Sequence, residues 1–172
     1  MKKIILALLV GTFIMSCSSD DEGNTEINIE GNWKLTSFTS ENNYDINEDG
    51  SASNNILIET ACYENETIDF NSDGSGTVTS RSYADITLNL VTGSSTEYEY
   101  SVECVDELEE TAFVWTENGN TITITGAGFM YDATFTATTM TFTIPDGLFL
   151  EVEEGGGTAV ATEDITFVYT KQ

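Results

Sequence analysis

Short runs of strict apolar/polar alternation, with no long stretch at helical period, are what most narrow the folds open to this chain. In Thr139 to Ile144, Met140, Phe142 and Ile144 oppose three threonines, and in Glu97 to Cys104, Tyr98, Tyr100, Val102 and Cys104 oppose Glu97, Glu99, Ser101 and Glu103. Thr121 to Thr125 turns Ile122 and Ile124 to one face, and Asp164 to Thr170 does the same with Ile165, Phe167 and Tyr169. Period two means strands with one buried and one wet face, as in antiparallel sheets. On this pattern Cys104 faces the core. Further strands are expected at Ile29 to Ser40, Thr67 to Phe70, Thr77 to Tyr83, Ile86 to Leu90, Thr111 to Trp115 and around Phe129, about eight to ten in all. The expected fold class is all-β, an up-and-down antiparallel barrel, because closure removes the edges an open meander exposes. The alternative is a β-sandwich with Trp33 as an ordinary core residue.

Turn chemistry divides these runs. Asn118-Gly119 lies between Phe113-Val114-Trp115 and the Thr121 strand, a strong short-range hairpin signal, and Asp73-Gly74 closes another hairpin. Asp146-Gly147 follows Pro145, the chain's one proline, and reads as a turn. Gly155-Gly156-Gly157 lies within the acidic stretch Glu151 to Glu163, which reads as a loop or lid, with Leu148 to Val152 able to add a strand.

The N-terminus has a different character. Lys2 and Lys3 precede an apolar run from Ile4 to Ile14, too short for a membrane-spanning helix, which needs about 20 residues, and in the order of a secretory signal. Ile14-Met15-Ser16-Cys17 resembles the lipobox of bacterial lipoproteins, which implies cleavage after Ser16 and lipid, palmitate included, on Cys17. Ser18-Ser19-Asp20-Asp21-Glu22 is similar to the serine-plus-acid signal that sends lipoproteins of Bacteroidota to the outer face of the outer membrane. The expected organisation is a signal peptide over 1–16, an acidic tether over 17–29 and one domain over 30–172. The expected location is the outer membrane, on the periplasmic side or the cell surface, with the surface favoured.

Charge sets the partners. The chain has 30 acidic and 5 basic residues, and its net charge of −25 becomes −27 once Lys2 and Lys3 leave with the signal. Nucleic acid is excluded, since binding it needs clustered cations to displace counterions. Metal cations, neutral or apolar molecules and basic proteins fit such a surface. With lipid on Cys17, Cys62 and Cys104 form an even pair in an oxidising compartment, and a structural disulfide is expected. There is no histidine, which removes Ser-His-Asp and Cys-His chemistry, and no feature singles out two carboxylates for hydrolysis. No enzyme and no catalytic residues are expected.

Gly31-Asn32-Trp33 opens the first strand, and this Gly-x-Trp after a lipoprotein tether resembles the lipocalin-like domain lipoproteins of Bacteroidota. The resemblance implies that Gly31 lets the chain enter the first strand closely packed and that Trp33 plugs the closed end of the barrel. Lipocalins commonly lay a basic side chain from the last strand over that tryptophan, and Lys171 is the one candidate. The expected function is that of a lipid-anchored barrel binding a small apolar or amphipathic ligand at its mouth. That reading predicts an apolar cavity of about 300 Å³ or more. Tyr98, Tyr100, Phe135 and Met140 are the candidate lining, or else plain core.

Asp45-Ile46-Asn47-Glu48-Asp49-Gly50 alternates oxygen ligands before a glycine, as the first half of an EF-hand loop does, but Ile56 stands where the bidentate glutamate belongs. The candidate calcium ligands are Asp45, Asn47, Asp49, the Ser51 carbonyl and Glu59, the last brought in by a helical turn over Asn55 to Ala61. Calcium is the one cofactor considered. The alternative function is accordingly a non-enzymatic surface interaction module with a calcium-stabilised loop, engaging a protein partner.

Overall fold

The computed structural model describes residues 27–63, 65–94, 98–154 and 157–172. The expected signal peptide over 1–16, Cys17 and the expected tether up to residue 26 lie outside the described residues. The elements are β1 (Gly31–Tyr44), β2 (Ser53–Asn55), α1 (Ile56–Glu59), β3 (Thr67–Phe70), β4 (Ser75–Leu90), β5 (Tyr98–Asn118), β6 (Thr121–Gly126), β7 (Phe129–Phe135), β8 (Thr139–Glu154) and β9 (Gly157–Lys171).

From β3 to β9 each strand pairs antiparallel with the next, β3 pairs with β1, and β9 returns to β1 with Leu35 opposite Tyr169 and Phe38 opposite Phe167. Eight strands thus close a barrel, which settles the architecture against the β-sandwich. The short β2 adds to the far part of β1, with Asn55 opposite Thr39. The alternation lands as the sequence dictates: Trp33, Phe70, Ile122, Phe135 and Met140 are buried inside, while Thr123, Thr125, Thr141 and Thr143 point outward. Apolar inside and polar outside is the reverse of a barrel built to face lipid.

One end of the barrel is closed. Gly31 has φ +113°, a conformation L side chains rarely adopt, and its nearest hypothetical Cβ neighbour is Lys171 Cε at 3.7 Å. Backbone conformation, rather than the close packing expected, is therefore what requires glycine there. Trp33 is fully buried and its indole N–H donates to the Ile29 carbonyl at 2.7 Å. The Lys171 ammonium lies 5.5 Å from the centroid of the Trp33 ring and donates to the Asn28 carbonyl at 2.5 Å.

Four local expectations need correcting. Thr77 to Tyr83 and Ile86 to Leu90 belong to the single strand β4, and the strands at Glu97 and Thr111 to the single β5. No glycine or proline interrupts either junction, and the acids of Val105 to Glu110 point to water, where a ladder tolerates them. Asp146-Gly147 is a bulge inside β8, where the register with β9 shifts between Ile144 and Leu148. Asp146 has φ 50°, its N–H donates to Asp164 Oδ1 at 3.0 Å, and its carboxylate accepts from the Thr162 hydroxyl at 2.6 Å. The Glu151 to Glu163 stretch is paired strand rather than loop, in register from Leu148 with Glu163 to Glu154 with Gly157, residues 155–156 lying outside the described residues. Cys104, finally, is exposed, although its partner Cys62 is only 1 % exposed, because β5 has by then run past the barrel wall.

These long strands form two hairpin arms, β4–β5 and β8–β9. In the ring of eight, β4 and β8 stand opposite each other, three strands apart either way, yet their backbones pair in parallel at Leu88 and Val152. The arms rise from opposite walls and converge over the mouth. Between them the β6–β7 turn closes early, with Gly126 opposite Phe129, so the rim there is low.

Candidate ligand-binding cavity

Below the arms the barrel interior holds a cavity of about 230 Å³, lined by Ile68, Val78, Thr111, Ile124, Phe129, Tyr131, Phe142, Ile144, Phe167 and Tyr169. Nine of these ten are aliphatic or aromatic. The volume falls below the roughly 300 Å³ usual for drug-sized ligands, so it suits a smaller one. Of the four residues proposed from sequence, the three with described side chains do not line it. Phe135 and Met140 are packed core at 2 % and 0 % exposed, Tyr100 borders a different hollow, and the Tyr98 side chain lies outside the described residues.

The lining has two characters. Across β7, β8, β9 and β1 the rings of Phe129, Tyr131, Phe142, Phe167 and Phe38 stack in sequence, with centroids 5.5, 6.1, 5.1 and 4.9 Å apart and planes within 23° of parallel. Tyr169 stacks on Phe142 at 5.9 Å and 12°. Stacked face to face along the wall, the rings pack against one another rather than interdigitating across the space. The facing wall, from β3, β4 and β6, is Ile68, Val78 and Ile124.

Two polar groups mark this interior. The Tyr169 residue is 6 % exposed, and its hydroxyl has no hydrogen-bond partner among the described residues. Burial first, and then the Glu66 carboxylate, hold its ionisation far above the ordinary tyrosine range, so it remains a neutral donor. Glu66, itself 6 % exposed, accepts through Oε1 from the N–H groups of Arg81 at 2.9 Å and Ser82 at 3.2 Å, where β4 bulges.

A second carboxylate fastens the rim. Glu163 Oε2 accepts from the N–H groups of Glu41 and Asn42, both at 3.1 Å, while Oε1 accepts from Asn42 Nδ2 at 2.6 Å and from the Tyr44 hydroxyl. Burial works against its charge, but these four donors outweigh it and hold the carboxyl below its usual range. Tyr44 is pushed in the opposite direction by burial and by Glu163.

The acidic loop stands apart from this cavity, around a polar hollow of about 370 Å³ bordered by Ile46, Glu59, Thr60, Tyr100, Val102 and the Cys62–Cys104 disulfide. Asp45 Oδ2 accepts from Gly50 N–H at 3.0 Å, Asn47 Oδ1 from Asp49 N–H at 3.0 Å and Asp49 Oδ1 from Ser51 N–H at 2.8 Å. The expected helical turn exists as α1, and Glu59 on it is 3 % exposed, with Oε2 accepting from Ile46 N–H at 3.1 Å. Among the described residues no three histidine, cysteine or acidic side chains converge as a metal group, and Asp45 Oδ1 is buried without a partner. Burial, then the charge of Asp45, raises Tyr100.

The sequence placed Phe142, Phe167 and Tyr169 on inward faces but did not single them out, and Phe129 and Tyr131 were missed as lining. The available signal was alternation: each is an aromatic on the inward face of β7, β8 or β9. No curated protein and no solved structure matches this chain. A domain family of unknown function, DUF5004, matches residues 16–171, and the chain belongs to that family.

Proposed function

We propose that this protein is a lipid-anchored, non-enzymatic carrier whose barrel takes up a small apolar or amphipathic molecule, held on Cys17 at the outer membrane and facing the cell surface. The apolar, aromatic-walled cavity beneath the converging arms carries this reading. A plain structural barrel fills its interior with side chains, whereas here four of the five stacked rings, Phe129, Tyr131, Phe142 and Phe167, line a wall and leave space beside it. The low β6–β7 rim offers a way in. Lipidation rests on the lipobox resemblance and is read by palmitate incorporation, expected in the native chain and lost in Cys17→Ala. The binding reading is tested by native mass spectrometry of the mature protein purified from an oxidising compartment. A retained small molecule, released on unfolding, supports it, whereas a protein that stays empty when offered a panel of small apolar compounds counts against it.

The surface module with a calcium-stabilised loop is the second reading, and the orphaned Asp45 Oδ1 favours it. In that reading Asp45, Asn47, Asp49, the Ser51 carbonyl and Glu59 hold the ion. The same spectra recorded in excess calcium and after chelation test it, with a gain of one calcium, absent in Asp45→Ala, as its expected outcome.

A further inference from the structure

Two phenol hydroxyls belong to the cavity lining, Tyr131 and Tyr169, both without a hydrogen-bond partner among the described residues, and Tyr169 is the more deeply buried of the two. Glu66 is engaged with the β4 bulge, and Thr111 has Glu109 within 3.4 Å. Among the described residues Asp45 Oδ1 is the one unpaired side-chain oxygen that is sealed off completely. The Tyr169 hydroxyl, also unpaired, therefore keeps some accessible surface, although its residue is 94 % buried and its ring lines the cavity. A buried donor without an acceptor loses about 1–3 kcal/mol relative to a paired one. Such a group is tolerated where a ligand or water completes it.

Size and charge narrow the ligand. An apolar cavity of about 150 Å³ accommodates benzene, with six ring atoms, so 230 Å³ scales to about nine non-hydrogen atoms. The near-parallel rings of Tyr131, Phe142 and Phe167 cover one another's faces and turn aromatic edges to the cavity, which suits a flat aromatic guest packed edge-to-face. The Glu66 carboxylate, close enough to act on Tyr169, together with a chain of net charge −25, disfavours anions. We propose that the cavity selects a neutral, flat, largely aromatic molecule of about nine or ten non-hydrogen atoms with one hydrogen-bond acceptor, which the Tyr169 hydroxyl recognises. This rests on the carrier reading and makes Tyr169 its specificity residue.

Titration calorimetry on the mature protein with three probes tests it: 1-indanone, which has a ketone; indane, the same skeleton without one; and laurate, a long-chain anion. Wild-type protein is expected to bind 1-indanone about two- to tenfold more tightly than indane, the span of one hydrogen bond, and laurate more weakly than either. Tyr169→Phe is expected to abolish the ketone preference, read as the ratio of 1-indanone to indane affinity within the same variant. A preference absent from the wild type, or surviving in Tyr169→Phe, overturns the role of Tyr169. Tight binding of laurate alone overturns the ligand class and leaves the carrier reading standing, while no binding of any probe overturns both. The ketone stretch of bound 1-indanone in wild-type protein gives a readout independent of the variant's folding. It is expected to shift to lower wavenumber than in cyclohexane, and an unshifted band overturns the hydrogen bond.

Discussion

Glu163 joins the last strand to the far end of the first, and replacing it by glutamine isolates what its charge contributes. The carboxylate receives four donors, two backbone N–H groups at 3.1 Å, one side-chain amide at 2.6 Å and one phenol. Hydrogen bonds to a charged group contribute about 1.5–3 kcal/mol each and neutral ones about 0.5–1.5, so four bonds each losing charge assistance sum to about 4 kcal/mol. Against this, glutamine no longer has a buried carboxylate to desolvate, which returns part of the loss. Its amide oxygen can keep the two backbone donors if the Tyr44 hydroxyl turns to accept from the new NH₂. We expect Glu163→Gln to lower stability by about 2 kcal/mol at pH 7, measured by urea unfolding at a series of pH values. The folded carboxyl ionises below its ordinary range, so the wild type gains stability from this group above the unfolded pKa and loses it as pH falls through the folded one. The difference between wild type and Glu163→Gln should therefore be full at neutral pH, shrink below about pH 4.5 and approach zero once Glu163 is protonated in the folded state. The same difference at pH 7 and pH 2.5, or one under about 0.5 kcal/mol throughout, the noise of a surface substitution, refutes the reasoning.

Three other substitutions probe the frame. Gly76→Ala places a Cβ 2.1 Å from Phe113 Cζ and 2.5 Å from the Asp69 carbonyl oxygen, which cannot both yield. A loss of about 3 kcal/mol in chemical unfolding is expected, against near-neutrality if the ring simply swings away. Lys171→Met removes the cation above Trp33 and the bond to the Asn28 carbonyl, and should cost about 1–2 kcal/mol with a changed Trp33 emission. Cys62→Ser with Cys104→Ser opens a link spanning 42 residues. By the chain-entropy relation it should lower stability by up to about 4 kcal/mol, with the earliest loss of hydrogen-exchange protection in the β4–β5 arm.

Barrel closure was legible because each strand carried its own inward set, and turns such as Asn118-Gly119 and Asp73-Gly74 obeyed local rules. Gly119 has φ 65° and Gly74 φ 82°, and the Asp73 carboxylate accepts from the Ser75 N–H and hydroxyl. The Cys62–Cys104 bond followed from an even count of the two cysteines left beside Cys17, and the placement of Lys171 over Trp33 from the lipocalin resemblance. Strand length was not legible. Acids at Glu107, Glu109 and Glu110 lower strand propensity in isolation, and only their outward exposure in β5 explains why the ladder runs through them. Asp146-Gly147 misled for the same reason: a turn dipeptide also makes a bulge when a partner strand is already in register on both sides, as β9 is from Ile165 to Glu163.

The cavity was harder still to foresee, because whether an inward side chain fills or lines a barrel depends on its neighbours along the ring and not on its own strand. Near the closed end Gly76 faces Phe113 across one pair, so the Phe113 ring lies over the space that the absent side chain leaves. Phe70 meets Phe113 edge-on at 5.3 Å, Trp115 meets Phe70 edge-on at 5.8 Å, and Trp33 lies fully buried at the same end. Large residues opposite small ones consume the interior there. Nearer the mouth the pattern reverses: Phe142 faces Phe167, and Phe167 faces Phe38, large against large on adjacent strands. Rings of equal size side by side stack along the wall rather than interdigitate across the bore, and the opposite wall supplies the smaller Ile68, Val78, Thr111 and Ile124. The empty volume is thus a consequence of matched ring sizes on β7, β8, β9 and β1. Exchanging Phe142 for leucine should break the stack, let side chains collapse inward and lower affinity for any flat guest, without opening the barrel.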